Sequence, residues 1–114
     1  MSVQLGAGDG SFQEVHRTFL LDTLPMTYVD DSLTIVDLNG DGLLDVAVPS
    51  YYLGVVVLLG QGGGMLAPPV AYATSDNTTG TVVAVDLDND GDKDLVTGHE
   101  WDNSVDVLLN DGAG

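Results

Sequence analysis

Asp37-Leu38-Asn39-Gly40-Asp41-Gly42-Leu43-Leu44-Asp45 and Asp86-Leu87-Asp88-Asn89-Asp90-Gly91-Asp92-Lys93-Asp94 carry one pattern twice, 49 residues apart. Oxygen-bearing side chains fall at positions 1, 3, 5 and 9 of each stretch, and glycine stands at position 6. The flanks repeat as well. Ser32-Leu33-Thr34-Ile35-Val36 and Thr81-Val82-Val83-Ala84-Val85 lead in, and Val46-Ala47-Val48 and Leu95-Val96-Thr97 lead out. A further element occurs three times, as Val3-Gln4-Leu5-Gly6, Val57-Leu58-Leu59-Gly60 and Val107-Leu108-Leu109-Asn110, each entering a glycine-rich turn. The chain is therefore built of units of about fifty residues, and missing that period would miscall the fold.

The segments between turns are short and rich in Val, Thr, Leu and Tyr, which reads as strand. No segment keeps a helical period over three turns. The best helical stretch, 14–24, contains Thr18, Phe19 and Thr23, which favour strand, and Pro25 ends it. About nine strands are expected, four to each repeat unit, which is the pattern of a β-propeller blade. Val55-Val56-Val57-Leu58-Leu59 is apolar on both faces, as a strand sandwiched between blades must be. The expected fold is all-β, with two four-stranded antiparallel blades per chain. The repeats divide it into a duplicate strand and turn at 1–11, a first blade repeat at 12–64 and a second at 65–114.

Composition narrows the function. Two Lys and Arg stand against 18 Asp and Glu, a net charge of -16. Such a chain cannot neutralise phosphates, so nucleic acid is excluded as a partner, and the same charge argues against docking on an anionic membrane surface. Hydrophobic residues make up 44% and the mean hydropathy is +0.18, too apolar for an acidic disordered tail. The absence of cysteine excludes disulfides and thiolate chemistry. No apolar run is long enough for a membrane-spanning helix. Residues 1–6 lack a basic region followed by an apolar run, so no signal peptide is expected there.

So much unopposed negative charge needs cations, and the repeated loops supply the sites. Ca²⁺ takes six to eight oxygens on a flexible loop, several of them carboxylate. Asp37, Asn39, Asp41 and Asp45 are the candidate side-chain ligands of the first loop, with the Leu43 carbonyl at position 7. Asp86, Asp88, Asp90 and Asp94 are those of the second, with the Asp92 carbonyl. Gly42 and Gly91 permit the turn at positive φ. The competing reading is a solvated polar turn, since Asp, Asn and Gly favour turns anyway. Two loops in register weigh against it, as does the repulsion among five acids in the second loop. An EF-hand would need Glu at position 12 and flanking helices, but Val48 and Thr97 stand there amid β-branched residues. Two Ca²⁺ per chain are expected, and Mg²⁺ fits less well because it keeps its waters.

The string Leu33 through Val48 resembles an FG-GAP or VCBS repeat. So do Val57 through Leu66 and the turn Gly8-Asp9-Gly10-Ser11-Phe12, in which Met65 or Leu66 takes the place of Phe12 in the second copy. Such repeats form propeller blades similar to the integrin α-subunit head and to several secreted lectins. The resemblance implies that each loop lies within a blade and that its ion is structural. A calcium affinity in the sub-millimolar range of extracellular modules is expected, which points to an extracellular or secreted protein. Two units are fewer than a family propeller carries in one chain, and two blades cannot close a ring. Residues 2–5 and 105–109 compete for equivalent places, so strand exchange is expected to complete a homo-oligomeric ring of three or four chains.

The expected function is a non-catalytic scaffold or interaction module. One alternative is a lectin-like propeller that stacks a glycan on Trp101 and Tyr51 or Tyr52, which occupy corresponding hairpins. Another is an accessory piece of an extracellular hydrolase. The bland reading of the aromatics is packing between blades. His16 and His99 are lone histidines without a second at ligand spacing. No nucleophile motif is present, and residues 6–10 form a turn between strands rather than a phosphate cradle before a helix. Glu14 and Glu100 are the only glutamates.

Overall fold

A computed structural model describes residues 2–17, 32–75, 79–101 and 103–114. These residues form nine strands and no helix: β1 (Ser2–Gly6), β2 (Phe12–Arg17), β3 (Thr34–Val36), β4 (Asp45–Ser50), β5 (Gly54–Leu58), β6 (Val70–Tyr72), β7 (Thr79–Val85), β8 (Asp94–His99) and β9 (Val105–Leu108). The part of 14–24 that lies within them, up to Arg17, is strand; the rest falls outside the described residues. The strands make a β1-β2 hairpin, a four-stranded sheet in the order β3-β4-β5-β6 and a three-stranded sheet in the order β7-β8-β9. All neighbours are antiparallel.

Two four-stranded blades were expected, and among the described residues there is one. β9 has no strand on its outer side among the described residues, and β1 and β2 pair with each other in a separate hairpin. That hairpin copies the β5-β6 connection. Gly6 faces Phe12 as Gly60 faces Leu66. Ala7 N–H donates to the Ser11 carbonyl at 2.9 Å as Gln61 N–H does to that of Met65 at 2.9 Å. Leu66, rather than Met65, thus takes the place of Phe12. A repeat has no fixed origin, so cuts at 12 and 65 and the sheet boundaries are different divisions of the same period.

The core follows from β4 and β5, which are buried along their whole length. Alternation sends their side chains to opposite faces. Ala47, Val55 and Val57 pack with Val82 and Leu95 of the three-stranded sheet. Val46, Val48, Val56 and Leu58 form a second cluster on the other face, under Leu53 and Leu66. The register keeps these sets apart, pairing Val46 with Leu58, Ala47 with Val57 and Val48 with Val56. Each fully buried Val or Leu contributes roughly 1.5–3 kcal/mol, so this central pair of strands is the anchor for both acidic loops.

Candidate metal centre

Each acidic loop joins the first strand of a sheet to the second. The loop at 37–45 connects β3 to β4, and that at 86–94 connects β7 to β8. Antiparallel pairs Val36–Asp45 and Val85–Asp94 close them. Gly42 and Gly91 sit at φ 83° and 105°, and position 4 is left-handed too, with Gly40 at 70° and Asn89 at 65°. Asn tolerates that region better than other side chains, which explains the substitution.

The ninth-position aspartates are fully buried, and both do the same work. Asp45 accepts from Leu38 N–H at 2.7 Å and from Gly60 N–H at 2.6 Å. Asp94 accepts from Leu87 N–H at 2.8 Å and from Asn110 N–H at 3.0 Å. Each carboxylate therefore ties the start of its loop to the segment that follows the third strand. The Asn110 and Leu87 amides hold the Asp94 carboxyl below the usual aspartate range, because they bond its charged form.

The rest of the two loops differs. In the first, Asp37 accepts Gly40 N–H at 2.8 Å and Gly42 N–H at 2.9 Å, one on each oxygen. Asn39 Nδ2 donates to Asp41 at 3.0 Å, and Asp41 accepts Leu43 N–H at 2.7 Å. In the second, Asp88 accepts Asp90 N–H at 3.2 Å and Asp90 accepts Asp92 N–H at 2.9 Å. One oxygen of Asp86 is buried without any hydrogen-bond partner. Ligand atoms of Asp86, Asp88 and Asp94 lie within 4.8 Å of one another, the one such acidic group among the described residues. Desolvation, together with the charges of Asp90 and Asp94, pushes the Asp88 carboxyl up. Carboxylate oxygens of three aspartates gathered this closely, with a buried unpartnered oxygen on one of those residues, fit a hard cation. The Asp92 side chain lies beside Gly112, where an added Cβ would stand 2.7 Å from its Oδ2.

A family model described as an FG-GAP-like repeat matches residues 37–97, which is more than half of the chain and includes both loops. The chain belongs to this family. No curated protein and no solved structure matches it. The FG-GAP-like match and the antiparallel all-β sheets agree on a β-propeller-type repeat.

The other candidates of this FG-GAP-like chain lie elsewhere. Tyr51 and Tyr52 occupy the β4-β5 turn and Trp101 the β8-β9 turn, at the opposite ends of β4 and β8 from the loops. Trp101 is 78% exposed and Tyr52 is exposed, so neither packs between sheets. Tyr51 and Tyr52 meet edge to face at 4.6 Å. The His16 side chain falls outside the described ones. His99 is buried, with Nε2 3.2 Å from Asp106 and 3.2 Å from Thr97 Oγ1.

Asn110 escaped the sequence reading. Its Nδ2 donates to the Leu38 carbonyl at 2.6 Å and to that of Lys93 at 3.1 Å, bridging the two acidic loops. The available signal was its place: Asn110 stands where the other two copies of that element have Gly6 and Gly60.

Proposed function

We propose that this chain is a calcium-stabilised propeller repeat module, acting as a non-catalytic scaffold or interaction domain outside the cell. The carrying observation is the buried, unpartnered oxygen of Asp86 beside Asp88 and Asp94. An isolated buried polar atom is costly, and a cation would satisfy it. In the second loop Asp86, Asp88, Asp90, Asp94 and the Asp92 carbonyl would hold Ca²⁺. In the first, Asp37, Asn39, Asp41, Asp45 and the Leu43 carbonyl would do so, giving two ions per chain. There an ion must compete with the amides that already bond both oxygens of Asp37. The second loop therefore binds first. A sub-millimolar Ca²⁺ affinity, the range of extracellular modules, would suit work outside the cell. Among the described residues no helix is long and apolar enough to cross a membrane.

Binding energy is folding energy when the ion prefers the native state. Ca²⁺ at ~100 times its Kd adds about 2.7 kcal/mol, so EGTA should lower Tm by several degrees. Asp86→Asn should remove more of that shift than Asp37→Asn. A Tm that ignores EGTA would sink the calcium reading.

The exposure of Trp101 favours a second reading, a lectin-like module with a stacked glycan. A glycan array compared with its Trp101→Ala counterpart separates the two. No glycan retained by the native chain would leave the scaffold reading alone.

A further inference from the structure

The three-stranded sheet carries an apolar row on one face. Val83, Val96 and Val107 lie abreast in register. Val105 and Leu109 flank them, each 65% exposed. Val55 and Val57 hold the same places in the four-stranded sheet, where the neighbouring sheet buries them. β9 is also an edge, with no strand on its outer side among the described residues. The β1-β2 hairpin has the converse defect. It is a sheet of two strands with Phe12 68% exposed, and an isolated hairpin is marginal in water.

These two defects complement each other. Because β1-β2 copies β5-β6, β1 is a third-strand type and β2 a fourth-strand type. β9 is a third strand too, and Val107-Leu108-Leu109 parallels Val3-Gln4-Leu5. β2 thus has two equivalent partners, β1 and β9. Within one copy β9 is out of reach. Leu5 lines an apolar groove of about 380 Å³ with Val46 and Leu66, which belong to the second cluster. Val82 and Leu95 pack on the opposite face of the four-stranded sheet.

We propose that β9 of one copy displaces β1 of a second copy and takes that copy's β2 as its fourth strand. The contact rests on the reading of the chain as a propeller repeat module. It is head to tail, and such contacts make rings when the rotation closes. Each chain then contributes two complete four-stranded blades, so three chains make six blades and four make eight. The partner is a second copy of this chain, and the apolar row of Val83, Val96 and Val107 becomes an internal interface.

The chain has no cysteine, so engineered ones report alone. Leu5 pairs with Gln13 in the hairpin, and exchange would pair Leu109 with Gln13. Gln13 and Leu109 are both exposed, so cysteine is tolerated at either. Chains carrying Gln13→Cys are mixed with chains carrying Leu109→Cys in Ca²⁺ and oxidised. The expected result is a disulfide joining one chain of each kind, with a native mass by light scattering of three or four chains. No mixed disulfide and a monomer mass, with Leu5→Cys/Gln13→Cys closing within one chain, would overturn the proposal. Melts of the same proteins with EGTA keep the two readings apart. A ring whose Tm ignores EGTA sinks only the calcium claim, and a calcium-raised Tm with a monomer mass sinks only the exchange.

Discussion

Asp45 is a buried charge whose two oxygens are both in use without any metal. Replacing it with Ala strands the Leu38 and Gly60 amides in the interior. A bond to a charged group is worth about 1.5–3 kcal/mol, and an orphaned buried donor adds to the loss. Asp45→Ala should therefore destabilise by about 3 kcal/mol or more in denaturant titration. The effect should persist in EGTA, because the lost partners are amides. If the loss vanished in EGTA, the carboxylate would matter only as a ligand. The loop residues were legible because oxygen spacing and glycine are local chemistry. The second duty of Asp45 and Asp94 was not, because Gly60 and Asn110 lie 15 and 16 residues away in sequence.

At the scale of elements, the β4-β5 turn turns on Gly54. It sits at φ +83°, and a Cβ there would lie 2.2 Å from the Tyr72 carbonyl oxygen and 2.8 Å from Thr74 N. Backbone atoms cannot step aside as a side chain can. Gly54→Ala should cost about 2–4 kcal/mol from strain and overlap together. A circular-dichroism melt within a degree of the native chain would show that β6 can shift. A second element-scale device ties the segment after β6 to β9. Ser75 N–H and Oγ donate to Asp106 at 2.5 and 2.8 Å, and His99 lies against it. These bonds hold the Asp106 carboxyl below its ordinary range, Ser75 first and His99 after it. A depressed carboxylate stabilises the fold above its unfolded pKa and loses that as pH falls through the folded one. The stability it adds is thus present at neutral pH and fades below about pH 4. Asp106→Asn should lose less Tm than the native chain between pH 7 and pH 3. Equal losses would assign the acid sensitivity to other groups.

For the whole molecule, the net charge of -16 sets the terms. Self-repulsion opposes the compact state, and salt screens it over about 10 Å at 0.1 M. Raising NaCl from ~0.02 M to ~0.5 M should raise Tm in EGTA, since screening at these ionic strengths is strong. The rise should be smaller in Ca²⁺, where bound ions already neutralise loop acids. An identical salt response in both conditions would mean that the loops hold no calcium.

The sequence by itself determined the period, the all-β character of the described residues and the positions of both acidic loops. Those depend on short-range rules: alternation, turn chemistry and the spacing of oxygens along one loop. The tertiary structure decided which strands pair, because third-strand types occur three times and local chemistry cannot choose between β1 and β9 as the partner of β2. It also set the two loops apart. Asp37 folds back on its own amides while Asp86 keeps an oxygen unpartnered, a difference of loop conformation between near-identical spacings. The bridge from Asn110 to Leu38 and Lys93 arises only when two sheets pack face to face, since its ends are far apart along the chain.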